Sequence, residues 1–193
     1  MFDLIYPSAT APILPFPPMD KSEIKSAEML PVIDESGLVK GRATRADCHA
    51  GLGLLHPVVH LYILDRNGRI FMQKRAMSKE SWPGRWDTSV GGHVAFGESI
   101  KEALYRESEE ELNFIQYNPY FIGTHVYECE SEKELVVTFA AVGNFKIEVL
   151  GEEVEDGRYW TKQEIAYNFN KDILTPNFKT EYSRIMPRLE ALL

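Results

Sequence analysis

Between Ile100 and Glu111 the chain carries five acidic side chains, and two of them fall on the face of a helix that ought to be apolar. Laid out at about 100° per residue, Ile100, Ala103 and Leu104 form an apolar stripe that Glu107 and Glu111 continue. Glu110, three residues beyond Glu107, stands beside them, so three carboxylates crowd one face and repel one another. A solvated acidic face would avoid the stripe rather than prolong it. A divalent cation is the simplest partner that would hold such a set together. Magnesium suits it, because it takes oxygen ligands and reaches protein through carboxylates while also touching phosphate.

The stretch around this helix runs Gly92-His-Val-Ala-Phe-Gly-Glu98-Ser-Ile-Lys-Glu-Ala-Leu-Tyr-Arg106-Glu107-Ser-Glu-Glu110-Glu111-Leu-Asn113-Phe114. This spacing resembles the Nudix box, a loop followed by a helix. Two positions depart from the pattern: Ser108 stands in place of an aliphatic residue, and Asn113 in place of a glycine. Neither carries charge, and Asn is the next best residue to Gly in the left-handed conformation that ends helices. The resemblance implies that Glu107, Glu110 and Glu111 bind Mg²⁺ or Mn²⁺ for hydrolysis of a diphosphate linked to another group. By position, Arg106 then orients the carboxylates, Gly92 opens the box and Glu98 supports its loop.

Length and composition bound the rest. With 193 residues, 44% hydrophobic and 26% charged, the chain suits one well-cored domain at 29–193 preceded by an arm at 1–28. A net charge of −8 argues against nucleic acid or an anionic membrane as partner, since both need a basic footprint. Cys48 and Cys129 make no disulfide framework. No apolar run approaches a membrane span, and no signal peptide is read at the start, so the cytoplasm is the expected compartment.

Residues 1–28 are proline-rich, with Tyr-Pro, Ala-Pro and Leu-Pro-Phe-Pro-Pro, and show no helical or strand period. Phe2, Leu4, Ile5, Tyr6, Ile13, Leu14 and Phe16 suit an arm lying across the body or across a neighbouring subunit of a homodimer; a disordered arm is the other reading. Two short strands joined by Glu-Ser-Gly begin at Met29. Val58–Leu64 and Arg69–Gln73 flank an Asn67-Gly68 turn as a hairpin. A strand over Trp86–Val90 leads into the box, whose helix starts on a Ser99/Glu102 capping box. Strands at Tyr120–Cys129 and Glu134–Val142, a helix from Thr161, and a last helix over Phe178–Leu193 complete the pattern. Tyr182, Ile185, Met186, Leu189 and Leu192 give that last helix its apolar face. The fold class expected is α/β (α+β): a mixed sheet packed between helices, as the Nudix resemblance implies.

A further resemblance covers Val32 to Glu98. Arg42-Ala-Thr-Arg45, Cys48-His49, Leu54-Leu55-His56, Gln73-Lys74-Arg75-Ala-Met-Ser-Lys79, Ser81-Trp-Pro-Gly84 and Trp86 are similar to the type I isopentenyl-diphosphate isomerases, a Nudix-fold branch. It implies a metal site at His49, His56, His93, Glu132 and Glu134, whose mixed ligands suit Mn²⁺ or Mg²⁺. It also implies diphosphate-binding cations at Arg75, Lys79 and Arg45. The branch's catalytic cysteine falls on Gly91, which has no side chain to move a proton. The combination reads as a metal-dependent hydrolase acting on a small-molecule diphosphate. The other readings are an isopentenyl-diphosphate isomerase and a catalytically silent module that senses a ligand. Candidate general bases are the box glutamates or an acid on a later loop, Glu152, Glu153 or Glu155. Trp86 is expected in the core, and Trp82 either stacks on a substrate ring or fills core.

Overall fold

The computed structural model describes residues 3–6, 14–15, 28–150 and 153–193. Among these described residues, ten strands and four helices occur in the order β1 (Leu14–Pro15), β2 (Met29–Ile33), β3 (Val39–Thr44), α1 (Arg45–Cys48), β4 (Leu55–Leu64), β5 (Ile70–Arg75), β6 (Trp86–Asp87), β7 (Val90–His93), α2 (Ile100–Leu112), β8 (Tyr120–Glu128), β9 (Lys133–Val142), β10 (Val154–Trp160), α3 (Lys162–Asn168) and α4 (Pro176–Glu190). A three-stranded sheet has the order β1-β3-β2, and a seven-stranded sheet the order β10-β5-β4-β9-β8 with β6 beside β5 and β7 beside β4. Since β1 runs parallel to β3 while β2–β3 and β4–β5 are antiparallel, the expected mixture of strand directions and helices is observed. The chain divides into two compact units, one of Met1–Val59, Gly92–Ala103 and Thr124–Val137, the other of His60–Gly91, Leu104–Gly123 and Thr138–Leu193.

In the first unit, the β2–β3 hairpin turns on Asp34, whose carboxylate accepts from the Ser36 amide at 3.0 Å and the Leu38 amide at 3.2 Å. Such an Asx-type turn fixes the reversal locally, before any tertiary contact. The described residues of the arm lie on this unit. Ile5 exchanges backbone bonds with Gly37 and Val39, and the Gly97 amide donates to the Tyr6 hydroxyl at 2.8 Å. Leu30, Val32, Ala43 and Cys48 form one apolar cluster; Ile33, Val39, Leu55 and Leu135 form another. The short helix α1 was not foreseen. Thr44 caps it by accepting from the Asp47 amide at 3.1 Å, and it ends at His49. Four residues are too few to show a helical period.

In the second unit, β5 is flanked by β10 and by the end of β4. Its core joins Tyr62, Leu64, Ile70 and Met72 to Trp160, Ile165, Leu174, Phe178, Ile185 and Leu189. α4 begins on Thr175, which accepts from the Phe178 amide at 3.2 Å, with Pro176 in the first turn where its missing N–H costs nothing. Two expectations are corrected here. Trp86–Val90 is not one strand: β6 and β7 are separate, because Thr88 and Ser89 turn their hydroxyls to the Leu61 and Phe71 carbonyls. Glu155, expected on a loop, lies on the strand β10. That strand has a register shift between Val154 and Asp156, and Gly157 lets it close on Phe71, where a Cβ would sit 2.4 Å from the ring.

Candidate active site

Two groups of side chains are candidates for the site, one in each unit. In the first unit α1 delivers His49 at its C-terminal end, β4 begins with His56 beside Leu55, and β7 ends on His93. The ligand nitrogens of the three imidazoles lie within 4.8 Å of one another. His49 Nε2 is 2.9 Å from His93 Nε2, and His49 Nδ1 is 3.0 Å from a Glu132 oxygen. The Gly51 amide donates to the Ser131 carbonyl at 2.8 Å, tying the loop after His49 to the turn that carries Glu132. Glu134 follows on β9 and is buried.

His56 fixes its own tautomer. Nδ1–H donates to the Leu54 carbonyl at 2.9 Å, so Nε2 is left as the lone-pair nitrogen, and it is buried with no protein partner. Burial is the main cause that lowers its pKa to about 4, with the nearby His49 and Arg45 adding to it. A neutral imidazole whose second nitrogen is held by a carbonyl is the usual state of a metal-binding histidine. The donor set therefore fits a divalent cation.

Arg45, at the start of α1, pairs with Glu28 at 3.3 Å near the surface. The Ala95 amide donates to the Glu98 carboxylate at 2.9 Å, and the Glu98 amide returns to the Ala95 carbonyl at 3.0 Å, closing the loop before α2. Ser99 and Glu102 form the expected reciprocal cap.

In the second unit α2 points Glu107 and Glu111 inward, with 8% and 3% of their surfaces exposed. Glu110 does not join them in the interior: its side chain is 59% exposed and lies 3.2 Å from Arg106. Arg106 Nη1 also donates to Glu107 at 2.7 Å and so spans the buried and the exposed acid. Burial raises Glu107 to about 7, partly opposed by Arg106, with Glu110 and Glu153 pushing the same way as burial. Burial raises Glu111 further, to about 8, with Glu107 adding and Lys79 opposing. Two donors hold Glu111, Gln73 Nε2 at 3.1 Å and the Gly91 amide at 3.3 Å, both on Oε2. A cation beside these carboxylates would draw them into the ionised form at a lower pH.

Around them, Arg75 bonds the Ser81 carbonyl at 2.9 Å and lies 3.4 Å from Asp87, while Lys79 pairs with Glu153. Glu155, on β10, pairs with Lys74 at 3.0 Å. Glu152 and most of the arm lie outside the described residues. Trp86 is partly buried and packs edge-on against the core residue Trp160, so it borders the expected core rather than filling it. Trp82 is exposed, has a backbone φ of +52°, and carries the Arg85 guanidinium 4.5 Å from its ring centre.

Three residues of this unit escaped the reading of the sequence. Gln73 is a polar side chain buried in an apolar strand, and Tyr117 bonds the Ser108 hydroxyl at 2.8 Å, so the departure at Ser108 is a hydrogen-bonded node. Glu181 occupies a core position of α4 between Phe178 and Ile185, the same acid-in-stripe signal that singled out α2.

A family model described as a NUDIX domain matches residues 54–183. An uncharacterized Nudix hydrolase of Streptomyces coelicolor is 40% identical over 94 residues, 49% of this chain and 51% of that protein, so the chain spans about half the relative's length. An isopentenyl-diphosphate Δ-isomerase of Streptomyces avermitilis is 28% identical over 94% of this chain and 96% of its own. Among solved structures, a Deinococcus radiodurans protein matches with a TM-score of 0.72 and 21% identity, over 82% of this chain and 99% of that one, a likeness of fold.

Proposed function

Because the chain belongs to the NUDIX domain family, we propose that it is a hydrolase that uses a divalent cation to cleave the diphosphate linkage of a small molecule. The observation that carries this reading is the pair Glu107 and Glu111, buried on one helix with their pKa values raised to about 7 and about 8. Glu107, Glu110 and Glu111 would hold Mg²⁺ or Mn²⁺, Glu110 by turning in from the surface. When bound, the ion would supply charge neutralisation at the leaving phosphate and a lowered pKa for water.

The chain's own groups do the rest. Arg106 aligns Glu107 and Glu110 through its Nη1, and Gln73 and the Gly91 amide fix Glu111. Arg75 and Lys79 receive phosphate oxygens, which take the places of Asp87 and Glu153 as their counter-ions. The exchange frees Glu153, whose charge is already felt by Glu107 and Glu111, to take the proton of the attacking water. Glu153 is therefore the general base in this reading, ahead of Glu155, which Lys74 holds on β10. Arg45 as a third phosphate cation rests on the resemblance alone.

His49, His56 and His93 with Glu132 would hold a second cation, Glu134 completing the set. The orphaned Nε2 of His56 supports this. Nucleoside diphosphate derivatives and related diphosphates are the substrate class, and the cytoplasm, which suits the free Cys48 and Cys129, is the proposed compartment.

The imidazole cluster and the isomerase names among the relatives favour one second reading, isopentenyl-diphosphate isomerisation. A panel of nucleoside, sugar, coenzyme and isoprenoid diphosphates with Mg²⁺ tests both. Release of phosphate or a monophosphate without interconversion of isopentenyl and dimethylallyl diphosphate is expected; efficient isomerisation with no hydrolysis would overturn the proposal. Gly91→Cys is a direct check, since a Cβ there would meet His60 at 3.3 Å and needs only a small shift. Isomerase turnover gained by this variant would show that the missing thiol is what separates the two activities.

A further inference from the structure

Glu181 is fully buried, yet its carboxylate serves three side chains of the second unit. His60 Nδ1 lies 2.7 Å from Oε2, the Tyr62 hydroxyl donates to the same oxygen at 2.9 Å, and the Thr138 hydroxyl donates to Oε1. A buried carboxylate collecting donors from β4 and β9 onto α4 fixes the orientation of each, because any other arrangement would leave a polar group unsatisfied. Of the three, His60 also borders β7. With Nδ1 committed to Glu181, its opposite edge faces Gly91: a Cβ built on Gly91 would lie 3.3 Å from Cδ2 and 3.4 Å from Nε2.

Within β7, Gly91 is followed by Gly92, so neither position has a side chain of its own to pack beside the buried Val90. The His60 ring borders the open side of Gly91. The stake is the Gly91 amide, one of the two donors on Glu111 Oε2. We infer that His60 and Glu181 are positioning residues that hold the Gly91 amide against Glu111, and so set how well Glu111 binds a divalent cation. The inference rests on the proposed metal role of Glu111.

The test is Mg²⁺ titration of the full chain, by calorimetry and by the Mg²⁺ dependence of phosphate release. His60→Asn and Glu181→Gln are expected to weaken the Mg²⁺ midpoint at least about fivefold. Ile185→Val, a core substitution on the same helix, should lower Tm and leave the midpoint unchanged. Gly91→Ala placed in His60→Asn provides the rescue, since its methyl enters the space the imidazole left and restores contact with the strand. Partial recovery of the midpoint in that double variant is expected, which a role in stability alone would not produce. Should His60→Asn fail to fold, His60→Gln keeps a side chain of similar reach for the same measurement. Unchanged midpoints in the His60 and Glu181 variants, alongside a weakened midpoint in Glu111→Gln, would overturn the inference and leave the proposed function standing. An unchanged midpoint in Glu111→Gln as well would overturn both.

Discussion

Glu110 and Glu111 are neighbours in the chain, but one is at the surface and the other is buried. Substituting each by Gln should therefore separate activity from stability. Both variants are expected to lose turnover by at least about a hundredfold, since each removes a charge from the metal set. Their stabilities should diverge. Glu110→Gln should melt as the parent does. Glu111→Gln should melt higher than the parent near pH 8 in the presence of a chelator, because the amide keeps the bonds on its oxygen and no longer has to ionise in the interior. Thermal melts and phosphate-release rates of the two variants check this; a Glu111→Gln protein with near-parental turnover would sink the metal assignment. At this scale the sequence was most legible where charge interrupted an apolar period. Glu107 and Glu111 were found that way, and Glu181 sends the same signal on α4. Gln73 and His60 could not be found so, because alternation along a strand does not say which buried polar side chain has a partner.

Single helices and strands were legible in proportion to how much local chemistry specified them. α2 has a reciprocal cap at Ser99 and Glu102, and it stops at Asn113, whose φ of +48° realises the left-handed turn its residue type suggested. The Asn113 amide still reaches Glu109 and the Phe114 amide reaches Ser108, so the end of the helix is closed by backbone bonds that depend on that conformation. Asn113→Ala should cost about 1 kcal/mol, because alanine lacks the short polar side chain whose local bonding lets Asn adopt the left-handed region despite its Cβ, and Asn113→Gly, which has no Cβ, should cost less. Denaturant midpoints of the two variants measure the difference. β10 was hidden for the opposite reasons. It is charged, its alternation is broken by a bulge, and what makes it a strand is a neighbour distant in the chain, with Arg158 opposite Met72 and Trp160 opposite Ile70. β6 and β7 were read as one because a break held by Thr88 and Ser89 hydroxyls has no glycine or proline to announce it.

The whole molecule's response to pH follows from groups titrating in opposite senses. Glu107 and Glu111 keep protons in the folded state that they release when unfolded, so between their ordinary value of 4.5 and about 7 to 8 the folded chain binds more protons and stability falls as pH rises. His56 acts the other way below its ordinary 6.5, where the unfolded chain gains a proton the folded one refuses down to about 4. The two effects oppose each other below 6.5, and of these three groups only the carboxylates act between 6.5 and about 8. The metal-free protein should therefore lose stability from about pH 6.5 to about pH 8, and millimolar Mg²⁺ or Mn²⁺ should raise Tm most at the upper end of that range. Melting curves with and without chelator across this window test it, and a Tm indifferent to metal at pH 8 would count against the site. The grouping of residues into two compact units was not legible at all, since each is assembled from three separated stretches of chain.

The three tryptophans are unequal as optical probes. Trp86 and Trp160 are packed edge to face with Arg158 over Trp160 at 4.0 Å, whereas Trp82 is exposed on the loop that follows Lys79. Collisional quenching by acrylamide should thus act chiefly on Trp82 emission. A diphosphate that settles on Arg75 and Lys79 should shield that indole and flatten the quenching slope. The chain then carries its own fluorescent reporter of occupancy, usable on ligands it does not cleave.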